Sequence, residues 1–174
     1  MTDNDRLIRT ARLEDAECLA AIEAECFPAA EAAGPDSIAR RLEIYPNHFR
    51  VLCIGGRPAA FVNGMVTDVP DLTDEMYDHA ELHDEGGAWQ MIFGVDTLPG
   101  YRRQGCAAAL LNRMIADARK EGRRGLVLTC KEKLLHYYEK FGFVNEGISQ
   151  SVHGNVRWYQ MRLTFSDDTA VSRK

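Results

Sequence analysis

The sequence predicts an α/β protein whose central sheet contains both parallel and antiparallel strands. Segments with apolar residues at helical spacing alternate with apolar runs of strand length along most of the chain. Glycine-bearing turns at Gly55-Gly56 and Gly154-Asn155 are typical of antiparallel hairpins. Between them, residues 89–130 follow a strand–loop–helix–strand order, which joins parallel neighbours. A sheet that contains both kinds of connection has to be mixed, with helices packed against it.

Length and cysteine usage indicate one reduced globular domain. A chain of 174 residues buries roughly 70% of the surface that its unfolded form exposes, enough for a core without disulfides or metal. We expect a single domain over residues 1–165, because no linker divides them, and a disordered tail over residues 166–174. The cysteines are odd in number and lack Cys-x-x-Cys spacing, as in reduced cytosolic proteins; they are Cys18, Cys26, Cys53, Cys106 and Cys130.

The charge and hydropathy of the sequence argue against two classes of partner, nucleic acids and membranes. The net charge of -5 argues against a nucleic-acid partner, because binding a phosphate backbone requires a clustered basic face. Residues 1–5 are polar and acidic, unlike a secretory signal, and no apolar run approaches membrane-spanning length. We therefore expect a cytoplasmic protein without a membrane partner, and the sequence leaves a homodimer open.

The first 66 residues predict a strand, two helices and a hairpin. The strand covers residues 7–9, and the amphipathic helix over residues 13–27 is ended by Pro28. A loop that carries Glu31 follows. Pro35 starts the second helix, because its fixed φ suits the first helical position. Residues 49–54 and 59–66 are the two strands of the hairpin.

An acidic stretch over residues 67–85 carries eight aspartates and glutamates and no lysine or arginine. We expect one helix over residues 72–83 that buries Leu72, Met76 and Ala80. The acidic side chains form either a solvated face or a lip that attracts a protonated amine. His79 and His83 lie four residues apart, but no third ligand accompanies them, so we expect no metal.

The segment from residue 89 to residue 120 predicts an anion site. An apolar strand, residues 89–95, leads through a loop with Gly105 into a helix whose apolar residues recur from Ala107 to Ala118. The first turn of a helix has free N–H groups and a positive dipole end, and glycine lets an anion approach the main chain. Gly94 is the expected bulge of the strand, since glycine inside a strand often marks a bend.

The remaining elements complete the sheet. Residues 125–130 predict a buried strand beside residues 89–95, and residues 134–141 a short helix. Residues 143–149 and 156–165 predict two final antiparallel strands. A wedge opens between the two central strands if they splay.

Two blocks of this region resemble signatures of the GNAT (Gcn5-related) N-acetyltransferase superfamily. Arg102-x-x-Gly105-x-Ala107 is similar to its acetyl-coenzyme A signature, and residues 135–143, Leu-His-Tyr-Tyr-Glu-Lys-Phe-Gly-Phe, to its Tyr-x-Lys/Arg-x-Gly-Phe block. The resemblance covers residues 7–165. It implies a mixed, mostly antiparallel sheet with helices on both faces and a wedge that holds acetyl-CoA as cosubstrate. The cofactor-binding residues that it implies are Ile92, Phe93, Gly94 and Val95 on the strand, and Arg102, Arg103, Gln104, Gly105, Cys106, Ala107 and Ala108 in the loop.

The implied reaction is attack of an amine of a small molecule or peptide on the thioester carbonyl in a ternary complex. By resemblance, Tyr138 donates to the leaving sulfur, whereas Tyr137 is structural. Full transfer from a phenol of pKa ~10 to a thiolate of pKa ~8.5 is uphill by roughly 2 kcal/mol, so Tyr138 acts through a hydrogen bond that strengthens as charge develops. Within the superfamily, the helix end Glu25-Cys26-Phe27-Pro28 and residues 136–143 resemble small bacterial arylalkylamine-type members. Those enzymes place two histidines on the strand where this sequence has Trp89 and Met91.

The general base therefore stays open, with Glu25, Glu31 or a water chain as candidates. Phe27 and Trp89 either line an acceptor pocket or belong to the core. The acidic balance favours a cationic amine as acceptor. The main alternative is a domain of the same fold that binds acyl-CoA without turnover. A dinucleotide-binding protein is disfavoured, because Gly-x-Gly-x-x-Gly does not follow the strand.

Overall fold

The computed structural model of the chain describes residues 5–166, so the tail predicted for residues 166–174 lies, apart from Ser166, outside the described residues. The strands of this part are β1 (Arg6–Thr10), β2 (Phe49–Ile54), β3 (Arg57–Asn63), β4 (Val66–Thr67), β5 (Trp89–Ile92), β6 (Gly94–Thr97), β7 (Gly125–Cys130), β8 (Val144–Ile148) and β9 (Tyr159–Thr164). The α-helices are α1 (Ala16–Cys26), α2 (Pro35–Ile44), α3 (Asp74–Asp78), α4 (Cys106–Lys120) and α5 (Leu135–Glu139).

The strands form two sheets that share one segment of chain. The first sheet has the order β1-β2-β3-β6 and is antiparallel throughout. The second has the order β4-β5-β7-β9-β8, in which β5 and β7 run parallel and the other pairs run antiparallel. Only Phe93 separates β5 from β6, so this segment starts in the second sheet and ends in the first. The mixed, mostly antiparallel arrangement confirms the prediction.

Helices cover both faces of the sheets. Along β2, Val51 packs in one core with Leu19 of α1 and Leu42 of α2, because alternate side chains of a strand point to opposite faces. Leu52, the next residue, packs in the other core with Leu110 of α4. No helix among residues 5–166 is long and apolar enough to cross a membrane.

Three predictions are confirmed. The strands β2 and β3 form a hairpin, a helix begins at Pro35, and β5 and β7 are parallel neighbours. The helix predicted over residues 13–27 starts instead with a 3-10 turn, Leu13–Asp15. Here the Asp15 carboxylate accepts hydrogen bonds from the Arg12 N–H at 2.7 Å and from both terminal nitrogens of Arg9 at 2.7 and 2.8 Å. This bidentate contact ties β1 to the start of α1.

The prediction of one helix over residues 72–83 is wrong in length. The helix α3 ends at Asp78, and a 3-10 turn, Ala80–Leu82, follows after His79. Aspartate, tyrosine and histidine are weak helix formers, and an acidic residue at the C-terminal end opposes the helix dipole. The predicted buried residues are nevertheless buried: Leu72, Met76 and Ala80 are at most 4% exposed.

The strand predicted over residues 59–66 is divided at Gly64, where the chain crosses from the first sheet to the second. On either side of this point, Met91 N–H donates to the Met65 carbonyl at 2.8 Å and Phe93 N–H donates to the Asn63 carbonyl at 2.7 Å. A Cβ on Gly64 would lie 1.8 Å from the Met91 carbonyl oxygen. The crossing therefore requires a residue without a side chain.

We expect Gly64→Ala to destabilise the fold strongly. A methyl group forced against backbone atoms moves the two chains apart, and overpacking of this kind costs roughly 1–3 kcal/mol or more. Urea unfolding measures the loss. Gly100→Ala is the control, because a Cβ there has no heavy atom within 4 Å. Equal stability of the two variants would contradict the close approach.

Candidate active site

The predicted wedge lies where β5 and β7 separate. Their pairing ends at Ile92 and Leu128. Beyond it, β6 pairs with β3 from Gly94 onward, while the end of β7 stays paired with β9. Within residues 5–166, no strand occupies the gap between β6 and the end of β7. The break falls at Phe93, one residue before the bulge predicted at Gly94. Main-chain groups of β6 thus face a slot in which an extended ligand can take the place of a strand.

The loop before α4 has the geometry of an anion site. Gly105 has a φ of 78° and immediately precedes the helix, and Ala109 N–H donates to its carbonyl at 3.0 Å. The N–H groups of residues 106–108 therefore precede the first helical hydrogen bond. A Cβ on Gly105 would have no heavy atom within 4 Å, so the space above this residue is open.

The side chains of the loop divide into exposed and buried ones. Arg102, Arg103 and Gln104 are exposed, Ala107 and Ala108 are half-buried, and Cys106 is buried in the core beneath α4. Arg6 holds the loop in place by donating to the Gln104 carbonyl at 3.0 Å. Two exposed guanidinium groups beside free N–H groups suit a pyrophosphate.

A cavity of about 310 Å³ adjoins the wedge. Its walls come from α1, the loop after it, α2, α3, β6, β7, α5 and residues 153–158. The lining residues are Glu23, Cys26, Phe27, Glu31, Ala32, Ala33, Gly34, Ser37, Arg41, Tyr77, Asp78, Phe93, Gly94, Val95, Thr129, Cys130, Lys131, Lys133, Leu134, Tyr138, His153 and Trp158.

Tyr138 is a buried donor at this cavity. The residue is 9% exposed, and no group within residues 5–166 forms a hydrogen bond with its hydroxyl. Burial, with smaller effects from Cys130, Tyr137 and Asp96, raises the pKa of Tyr138 far above its usual value. The hydroxyl is therefore neutral and free to donate. Tyr137 packs edge-on against the Tyr138 ring, 5.2 Å between centroids, and does not line the cavity.

Two of the four predicted acceptor-site residues lie at the cavity. Phe27 lines it, and Glu31 lies in its wall with its Oε1 2.9 Å from Lys131 Nζ. Glu25 is exposed and lies outside the lining. Trp89 is at the start of β5, away from the wedge, with the Arg162 guanidinium 4.6 Å from its ring centroid. Its placement supports the core interpretation.

Sequence reasoning missed the buried polar groups of the site. Glu23 and Arg41 are 6% and 3% exposed on the inner faces of α1 and α2, and both line the cavity. Arg41 donates to Asn63 Oδ1 and to the Tyr77 carbonyl, each at 3.0 Å, and lies over the Phe93 ring. Asp96 is fully buried on β6. A charged residue at an inward position of an apolar helix or strand is the signal that could have identified them.

Most of the acidic stretch is engaged elsewhere. Asp71 pairs with Arg162 at 2.8 Å, and Asp74 accepts from the Ser151 hydroxyl and from the Val152 N–H. Asp78 is the one acidic residue of the described stretch that lines the cavity. Of the carboxylates that were predicted to form an acidic lip, Asp78 alone among those described lies at the cavity.

A histidine cluster lies apart from the cavity. His48, His83 and Glu85 have ligand atoms close enough together to hold a metal ion, whereas His79 contacts Glu81. His83 Nδ1 accepts the Val66 N–H at 3.0 Å, so its Nε2 carries the proton donated to Glu85. This bonding disfavours His83 as a ligand, and the expectation of no metal stays a prediction.

Comparisons with known proteins agree with this geometry. The acetyltransferase (GNAT) family matches residues 16–143. Serotonin N-acetyltransferase from Mesocricetus auratus is 29% identical over 126 residues, which is 67% of this chain; the chain spans 59% of the length of that relative. The loading GNATL domain of CurA from Lyngbya majuscula superposes with a TM-score of 0.79 at 18% identity, covering 91% of this chain and 97% of that one. The GphF GNAT-like decarboxylase in complex with isobutyryl-CoA gives 0.79 at 22% identity, covering 91% and 98%. These structures confirm the predicted GNAT fold.

We expect Gly105→Val to weaken coenzyme A binding about a hundredfold, or about 3 kcal/mol, because its side chain occupies the space above the helix N-terminus. Isothermal titration measures the affinity. Gly122→Val is the matched control, since Gly122 has the same φ of 78° and equally open surroundings beyond the end of α4. Both variants carry the same backbone strain. Equal affinities in the two folded proteins would rule out the loop as the binding site.

Proposed function

Because this chain belongs to the GNAT acetyltransferase family, we propose that it transfers an acetyl group from acetyl-coenzyme A to an amine of a small molecule or peptide. The observation that carries the proposal is the wedge between β6 and β7, which adjoins a cavity with a free tyrosine hydroxyl. Two comparisons support it: the relative is named as an N-acetyltransferase, and the GphF GNAT-like decarboxylase is a complex with isobutyryl-CoA.

In this proposal each part of the cosubstrate has a place. The pyrophosphate binds at residues 102–108, and the pantetheine arm lies along residues 92–95 of β5 and β6. The thioester then reaches the cavity, where a main-chain N–H of Phe93, Gly94 or Val95 stabilises the negative charge on its oxygen. Catalysis follows from holding amine and thioester together and from stabilising the charge that develops.

Tyr138 acts on the leaving group through a hydrogen bond. An elevated pKa makes full proton transfer from the phenol to a thiolate even less favourable than it is in water. A neutral hydroxyl in a buried site still stabilises the thiolate as its charge grows, because local charge–dipole interactions are stronger there than in solvent.

The charges of the cavity favour a protonated amine as acceptor. Lys131 is paired with Glu31, and the terminal nitrogens of Arg41 are engaged with Asn63 and Tyr77. Lys133 is exposed at the cavity rim. Glu23 in the interior and Asp78 at the opening form no close ion pair with a described side chain, although the Arg41 guanidinium lines the same cavity. An ammonium group can fill this role.

The alternative is a domain that binds acyl-CoA without turnover. A panel of amines with acetyl-CoA, followed by release of free thiol, distinguishes the two functions. Amine-dependent thiol release supports the transferase, whereas tight binding of acetyl-CoA without release for every amine supports the binding domain.

We expect Tyr138→Phe to lower kcat by about 10²–10⁴-fold with nearly unchanged acetyl-CoA affinity, since the substitution removes one donor and keeps the ring. Steady-state kinetics and titration give the two values. Tyr137→Phe is the control and should be nearly silent, because its ring lies outside the cavity lining. A fall in affinity equal to the fall in rate would make Tyr138 a binding residue instead.

We expect Asp78→Asn to raise KM for a cationic amine by several-fold and to reduce the dependence of kcat/KM on salt. A charge at the opening acts over about 8 Å at 0.15 M ionic strength, so it can act on an entering ammonium group. Glu75→Gln removes an exposed carboxylate of the same short helix that does not line the cavity. An identical salt dependence for both variants would contradict steering by Asp78.

A further inference from the structure

We propose that Glu23 is the general base of this site and that Asp96 is a positioning residue that holds a proton beside it. The inference rests on the proposed transfer to an amine, and it answers a question that the sequence leaves open. A protonated alkylamine of pKa ~10.4 must lose a proton before it attacks, so the cavity needs a proton acceptor.

Glu23 has the position of a base. It comes from the inner face of α1, is 6% exposed, and lines the cavity. Its Oε2 accepts the Ala33 N–H at 2.7 Å, which fixes the carboxylate. Its Oε1 is directed toward Gly94 on β6, 3.5 Å from where a Cβ of that residue would stand. One oxygen is therefore anchored, and the other faces the predicted place of the thioester.

Asp96 lies beside the same spot. Its Oδ1 is 2.8 Å from the Cβ position of Gly94, and the side chain is fully buried. Neither of its oxygens has a hydrogen-bond partner within residues 5–166. A buried carboxylate without a donor is strongly disfavoured, so Asp96 is the member of the pair that holds a proton. Burial, followed by the negative charge of Glu23, raises the pKa of Asp96 well above its usual range in agreement with this geometry.

The other candidate bases are poorly placed. Glu31 is already neutralised by Lys131, and Glu25 is exposed outside the cavity. The groups that face the Glu23–Asp96 pair from its neighbours are Cys26 on α1, Arg41 on α2, Tyr77 on α3 and Tyr138 on α5. Arg41 favours a single negative charge on the pair. The thiol and the two phenols stay neutral through burial.

The proton steps balance. The ammonium group gives one proton to Glu23, and the free nitrogen forms a C–N bond at the thioester carbonyl. The C–S bond breaks, and the second proton of the nitrogen goes to the thiolate to give the free thiol. Glu23 releases its proton to solvent when the products leave.

The test compares four folded variants by thiol release and by acetyl-CoA titration. We expect E23Q to lose about 10²–10⁴-fold in kcat, a typical contribution of a general base, with unchanged acetyl-CoA affinity. E25Q, on the same helix, is the matched control and should behave as wild type. D96N should keep most of the rate at neutral pH, because an asparagine amide resembles a protonated aspartate. D96A should fall well below D96N, since it lacks that donor.

A second measurement does not depend on turnover. Infrared difference spectroscopy of wild type should show the C=O stretch of a protonated carboxyl group at neutral pH, and D96N should lack it. A near-normal kcat in E23Q, a loss in D96N as large as that in E23Q, or an unchanged infrared band in D96N would overturn the inference. Absence of thiol release from the wild type with every amine would overturn the proposed function as well, whereas normal E23Q turnover overturns this inference alone.

Discussion

The structure depends on a strand that changes its partner halfway along. Up to Ile92 the segment pairs with β7, and from Gly94 it pairs with β3. Backbone groups of a buried strand need hydrogen-bond partners, so a segment that leaves one neighbour must gain another or face a ligand. On one side the new neighbour is β3, which ends just before the chain crosses at Gly64. On the other side the gap stays open, and that gap is the wedge.

Because the break occurs at Phe93, it also determines what surrounds the wedge. Phe93, Gly94 and Val95 are half-buried, whereas Ile92 before them and Asp96 after them are buried. The inner faces of α1 and α2 reach this region and bring Glu23 and Arg41 to the cavity. The same change of partner thus places the slot for an extended ligand next to the buried side chains of Glu23 and Arg41.

The architecture was predictable where signals in the local sequence are enough to specify it. The strand–loop–helix around Gly105 is specified by a glycine, small residues and helical spacing within twenty or so positions, and these signals do not depend on distant contacts. The division of the strands at Phe93 and Gly64 was not predictable, because each half is as apolar as a continuous strand would be. The segment divides where its pairing with β7 ends and its pairing with β3 begins, and both pairings depend on residues that are distant in sequence.

The candidate site was predictable only where a motif or a special backbone position marks it. Tyr138 and the loop before α4 are found through short blocks, but Glu23 and Asp96 lie 73 positions apart and no local pattern links them. Glu25 was a reasonable candidate from residue type alone. Two positions along a helix turn a side chain about 200° around the axis, however, so Glu23 and Glu25 cannot both face the cavity.

Burial affects the acids at the cavity and next to it in different ways. It raises the pKa of Tyr77 to about 12 and that of Tyr138 further, so both hydroxyls stay neutral. Asp96 has no donor to stabilise a charge, whereas Glu23 has the Ala33 N–H. Of the two carboxyl groups of the Glu23–Asp96 pair, the anchored Glu23 is thus the one better able to carry negative charge, beside neutral donors. Under the proposed function, such a site accepts a proton from an ammonium group at one residue and offers a neutral hydroxyl to the leaving sulfur from another, because the surroundings of the two residues differ.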